Sequence, residues 1–152
     1  MNGDQPSAKP LCPSAQPDWE GAVLIGVVLG TAGEPRVRFA QEAAPVVPEV
    51  LALATPVHPT EIFRFAAPCL CRNCVHFENV KCRLVERVVS QLPIVVDDPP
   101  PCPIRPSCRW WSQEGIAACR RCPQVVTDNH NPAAEMVQAA SPASRKQPGP
   151  FA

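Results

Sequence analysis

Apolar residues and glycine alone make up Gly21–Gly30 (GAVLIGVVLG), and Thr31-Ala32-Gly33-Glu34-Pro35 follows with turn chemistry. Arg36–Phe39 then alternates polar with apolar, so the pattern predicts a β-hairpin with strands over 22–31 and 36–39. Pro48–Ala54 (PEVLALA) places proline in a first helical turn with good helix formers behind it, which predicts a short helix. Thr60–Phe65 alternates again and predicts a third strand ending before Pro68. In Asn79–Leu92 (NVKCRLVERVVSQL) the apolar positions 84, 85, 88, 89 and 92 have helical spacing, and Pro93 stops them. With Asn79 as cap, Cys82 falls in the first turn, where free amides and the helix dipole lower a thiol's pKa. A shorter helical patch, Ser107–Glu114, ends near Gly115; Ile116–Cys122 and the breaker Pro123 follow.

These elements describe an α+β protein: a small N-terminal β-hairpin and helix packed on a Cys-rich, metal-stabilised helical module, with disordered termini. The expected division is a flexible segment over 1–17, a small α+β region over 18–67, a Cys-rich metal-binding module over 68–127, and a weak helix with a disordered tail over 128–152. The whole chain, 152 residues, is one ordinary domain's worth. Its 21 Pro and 7 Gly stay below the level that marks low-complexity disorder.

The formal charge is zero, 14 Lys+Arg against 14 Asp+Glu, which argues against a basic nucleic-acid-binding domain. The total hides a division: residues 1–59 hold three basic and six acidic residues, and residues 60–125 nine basic and six acidic. Such a division is either ordinary surface variation or a set of cations offsetting a metal-thiolate centre or meeting an acidic partner. The run Gly21–Gly30 is too short to cross a bilayer, and Asp18 and Glu20 stand where a signal peptide would be basic. The expected compartment is the cytoplasm, without a membrane partner, where reduced thiols bind metal or do redox chemistry sooner than form disulfides.

Eight of the nine cysteines lie within 54 residues: Cys69-x-Cys71-x2-Cys74-x7-Cys82, then Cys102-x5-Cys108-x10-Cys119-x2-Cys122. A C-x2-C turn lets two thiolates reach one centre, so the pairs Cys71/Cys74 and Cys119/Cys122 are expected to complete one four-thiolate site. Those four are the first expected ligands, Cys82, Cys102 and Cys108 the next, and Cys69 the last. Cys12 stands alone in the N-terminal segment and reads as a small buried hydrophobe. His76 reads as a surface residue sooner than as a mixed-ligand donor, and His58 and His130 as solvent-exposed. Trp110 and Trp111 read as core, or as a shield between a cluster and solvent.

Neither C-x2-C pair has the glycine that zinc knuckles often place soon after; proline instead abuts Cys12, Cys69, Cys102 and Cys122. Cys122-Pro123 is similar to the end of a bacterial ferredoxin run, although the full run is absent. Two [4Fe-4S] clusters, one with a zinc site, or two zinc sites all fit eight thiols, and the expectation is at least one iron-sulfur cluster. Covalent haem would need His directly after C-x2-C, and Val75 stands there. The glycines at 21, 26, 30 and 33 form no phosphate cradle.

Leu11-Cys12-Pro13-Ser14-Ala15-Gln16-Pro17-Asp18-Trp19-Glu20, Phe63-Arg64-Phe65-Ala66-Ala67-Pro68-Cys69, and Ile104-Arg105-Pro106 through Cys108-Arg109-Trp110-Trp111 to Cys119 and Cys122-Pro123 carry a resemblance. Over most of the chain except the tail it resembles a family of small Cys-rich bacterial proteins labelled "nitrogen fixation protein". The label implies a context shared with nitrogenase, which favours iron-sulfur chemistry, and gives no residue a role. The expected function is electron transfer or redox sensing through an iron-sulfur cluster, with a protein redox partner. The alternative is a zinc-stabilised interaction module, and no sequence feature selects an enzyme.

Overall fold

The computed structural model describes residues 9–31, 33–127, 132 and 134–141. The first eight residues, His130 and the tail beyond Ser141 lie outside them. The architecture is α+β. Strands β1 (Leu11–Ala15), β2 (Val23–Gly30), β3 (Pro35–Pro45) and β4 (Phe63–Pro68) form one antiparallel sheet in the order β1-β4-β2-β3. The expected hairpin is β2-β3, with Gly30 opposite Pro35 and Val23 opposite Pro45. Strand β3 runs past Phe39 because pairing with Leu24 and Val23 carries residues that show no alternation of their own.

Leu11–Ala15, expected within a flexible segment, is instead an edge strand. Leu11 lies opposite Pro68 and Cys12 opposite Ala67, and Pro13 and Ala15 are buried. Its proline disguised it: Pro13 has no N–H to give, which an edge strand tolerates and a central strand does not. Thr60–Ile62, expected as strand, belongs to a single helical turn, α2 (Pro59–Ile62). The His58 ring accepts from the Thr60 amide at 3.3 Å, and the Glu61 carboxylate accepts from the His58 amide at 3.3 Å.

Helix α1 (Pro48–Ala52) forms where Pro48 opens it. The strong apolar periodicity becomes α3 (Arg83–Gln91), starting three residues later than the cap at Asn79 predicts. Asn79 and Val80, with φ of 54° and 64°, turn a small ribbon of β5 (Phe77–Glu78) and β6 (Lys81–Cys82). Cross-strand pairing therefore takes the residues that would have been the first helical turn, and Cys82 becomes the residue preceding α3. The second helical patch is two short helices, α4 (Arg109–Glu114) and α5 (Ile116–Cys119), broken at Gly115, whose φ of 68° suits glycine. Helix α6 (Ala134–Ala140) returns to α3, held by Arg87 Nε donating to the Ala139 carbonyl at 2.7 Å.

The period of two along β4 sorts the protein into layers. Phe63 and Phe65 pack edge-to-face at 6.1 Å on the side of α1 and α2, with Ala54, Leu51 and Val50. Ala66, with Ile25 from β2, packs on the opposite side against Val85, Val88 and Trp110 of the Cys-rich helices. Arg64 shares that second side and is wholly buried there. No helix among the described residues is long and apolar enough to cross a membrane.

At Gly26, beside an irregularity in the β2-β3 register, an added Cβ would lie 2.7 Å from the Arg38 carbonyl oxygen. Because that neighbour is backbone, Gly26→Ala is expected to lower stability by about 1–3 kcal/mol in urea unfolding. An unchanged midpoint would contradict this register.

Candidate metal centres

Two cavities flank Trp110, which is 1 % exposed and lines both. Cys12, Cys69, Cys74 and Cys82 line the first, of about 680 Å3. Cys102, Cys108, Cys119 and Cys122 line the second, which is far smaller. Electrostatic reach follows the same division: Cys12 feels Cys82, Cys69 and Cys74, whereas Cys108 and Cys119 each feel Cys122 and Cys102. Strand β1 runs between the cavities, and its alternation turns Cys12 and Ser14 to the first and Pro13 to the second. The sheet explains why Cys12 meets Cys69: β1 pairs with β4, and the Cys69 amide donates to the Pro10 carbonyl at 2.8 Å.

This division separates residues that the C-x2-C spacing joins. Cys74 lines the first cavity and Cys119 and Cys122 the second, so the two pairs do not close one site. Cys71, the partner of Cys74 in sequence, lines neither. Its left-handed backbone, φ 53°, sends its amide to the Cys69 sulfur at 3.4 Å, so its contact with the first group is through the main chain. Cys12, read from sequence as an isolated hydrophobe, is instead a full member of the first group. The signal that marked it was the adjacent proline, shared with Cys69, Cys102 and Cys122.

Every one of these eight sulfurs, except where an arginine replaces the amide, faces a backbone N–H two residues ahead. Ser14 donates to Cys12, Cys71 to Cys69 and His76 to Cys74, each at 3.4 Å. Amides of Leu84 and Val85 face Cys82, that of Ile104 faces Cys102, and those of Trp110 and Trp111 face Cys108. Arg105 donates to Cys119, and Arg64 Nη2 donates to Cys122 Sγ at 3.2 Å. A neutral thiol is a weak acceptor, and such a set of donors suits anionic sulfur.

Arg64 is the strongest electrostatic feature. It is 0 % exposed, and no carboxylate meets it among the described residues. Its guanidinium donates to the carbonyls of Pro13, Cys122 at 3.1 Å and Val125 at 2.9 Å, and lies 5.6 Å from the Trp110 ring centre and 6.0 Å from that of Phe39. A buried cation is costly without a counter-charge, and among the described residues the candidate anion in contact is the Cys122 sulfur. Nearby donors also lack acceptors: Trp110 Nε1, Arg105 Nε and Arg109 Nε are buried with none.

Burial pushes the Cys12 and Cys108 thiols up to about 12, against amides that lower them. It also raises Cys82, Cys102 and Cys119. The expected lowering of Cys82 is thus reversed, because desolvation outweighs the amides of Leu84 and Val85 that do pull it down. His76 Nδ1 is engaged by Arg87 at 2.8 Å, which favours its structural role. Among the described residues no three Cys, His, Asp or Glu side chains converge closely enough to hold a single metal ion. One zinc ion, at about 2.3 Å from each sulfur, needs tighter convergence than these thiols have. Comparisons with protein-family models, curated proteins and solved structures find no match.

In the metal-free chain, thiols that ionise near pH 9 when unfolded and near pH 12 when folded keep their protons longer in the folded state. Stability is then full below pH 9 and falls as pH rises from 9 towards 12, by about 1.4 kcal/mol per unit for each such thiol. Thermal unfolding of chelator-treated protein at pH 8 and pH 10.5 checks this. A flat profile would contradict the burial of Cys12 and Cys108.

Proposed function

We propose that the cysteine-rich layer binds an iron-sulfur cluster and that the protein is a one-electron carrier or redox sensor. The observation that carries the reading is the buried Arg64 guanidinium, without a carboxylate, set against Cys122 in a cavity lined by four cysteines. A protonated Cys122 would leave that cation uncompensated, and thiolates on a metal centre would compensate it. The amides aimed at sulfur and the unmatched donors of Trp110 and Arg105 support the same reading, because thiolate and inorganic sulfide both accept N–H bonds. As placed, the thiols do not converge on one zinc ion among the described residues.

A bound cluster supplies reversible one-electron chemistry: one electron enters from a reduced protein partner and the same electron leaves to an oxidised one. The chain's own residues then set its poise. Arg64 and Arg105 favour the more negative state by donating to sulfur, and Trp110 and Trp111 exclude water beside them. The resemblance to proteins labelled for nitrogen fixation adds a context and no residue role.

Protein purified without oxygen is expected to contain iron and sulfide and to show a broad visible absorption band. Cys119→Ser should weaken that band and Arg64→Met should lower the reduction potential. Colourless protein containing zinc would overturn the reading and leave a metal-stabilised interaction module in its place.

A further inference from the structure

We infer that the chain carries two separate four-cysteine metal centres, one held by Cys12, Cys69, Cys74 and Cys82 and the other by Cys102, Cys108, Cys119 and Cys122, with Cys71 in neither. The inference rests on the metal-thiolate reading above and adds to it the ligand sets, a ligand in the N-terminal strand, and the exclusion of one half of a C-x2-C pair.

The cavities divide the sulfurs, and local backbone geometry and topology are consistent with that division. Each cavity is lined by four cysteines, and β1 and Trp110 separate the two. At Cys12, Cys69 and Cys74, on three different segments, the amide two residues ahead donates to sulfur at 3.4 Å in each case. Cys71, like Cys119 and Cys122, meets an arginine in place of the amide, Arg109 Nη2 at 3.7 Å, so the cavities are what set it apart: it lines neither. Cys12 approaches Cys69 through the β1-β4 pairing, and Leu11 also bridges to Cys108, so one five-residue strand positions ligands of both centres. Nothing in packing alone requires a cysteine at Cys12, since an edge strand would accept any small apolar residue there.

The two centres differ in surroundings. The second has Arg64 and Arg105 at its sulfurs and little free volume. The first borders the larger cavity, with Arg109 and the unmatched donor of Trp110 on its wall. A chelator therefore reaches the first centre sooner, and the second is the more strongly compensated.

The test uses the full chain, reconstituted without oxygen, with bound metal and acid-labile sulfide per chain and the EPR signal of the dithionite-reduced protein as readouts. Cys12→Ala and Cys108→Ala are each expected to lose about half of the metal, the double variant nearly all, and Cys71→Ala none. Because Cys12→Ala also alters a β1 side chain, alkylation of the metal-loaded wild type gives a second reading. Cys71 is expected to be the one residue labelled within 69–122, and Cys12 is expected to react only after the metal is removed. Iron lost with Cys71→Ala and retained in full by Cys12→Ala, or Cys12 alkylated while metal is bound, would overturn the partition and leave the iron-sulfur reading standing. Two zinc ions per chain, halved by Cys12→Ala, would overturn the iron-sulfur reading and uphold the partition. Wild-type protein that takes up no metal would overturn both.

Discussion

A guanidinium shut off from solvent, with no carboxylate against it among the described residues, sets the terms for this fold. Arg64 sits in the central part of the sheet, where the neighbouring Phe65 and Ala66 are wholly buried, and it faces the Cys-rich layer. Through the carbonyls of Pro13, Cys122 and Val125 it ties the edge strand to the turn after α5, and through Phe39 and Trp110 it ties β3 to α4. Those contacts satisfy its donors without cancelling its charge. On the proposed reading the counter-charge comes from the cysteine group that Arg64 touches, which joins a structural requirement of the sheet to the chemistry of the sulfurs.

The same logic explains why the thiols look unfavourable by themselves. Burial raises five of them, which opposes ionisation, while amides and arginines are aimed at the same sulfurs and favour it. On the proposed reading, a site prepared for thiolate but too dry to make it unaided would be resolved by a bound metal, whose binding would then contribute to folding. The layers place both groups beside one tryptophan, with the edge strand threaded between them.

Much of the architecture was legible in the sequence because it rests on periodicity. The run at 22–31, the alternation at 36–39 and the helical spacing at 84–92 each led to an element of the expected kind. What escaped were places where distant pairing overrides local preference. Leu11–Ala15 is too short and proline-interrupted to read as a strand until β4 lies beside it. The ribbon at 77–82 takes residues from a helix that Asn79, read as a cap, would have started earlier. For the candidate site, the cysteines announced themselves, but spacing misled about which belong together. A C-x2-C pair shares a centre only if the chain between turns both sulfurs inward, and the left-handed conformation at Cys71 presents its amide instead.

The central claim is that Arg64 faces an anionic metal-thiolate centre. The most direct measurement is a crystal structure of protein purified and crystallised without oxygen, with anomalous diffraction recorded at the iron edge. The account predicts iron bonded to Cys122 Sγ beside the Arg64 guanidinium, with further iron on the other side of Trp110. Arg64 paired with a carboxylate, or four metal-free thiols around an Arg64 held only by carbonyls, would contradict it.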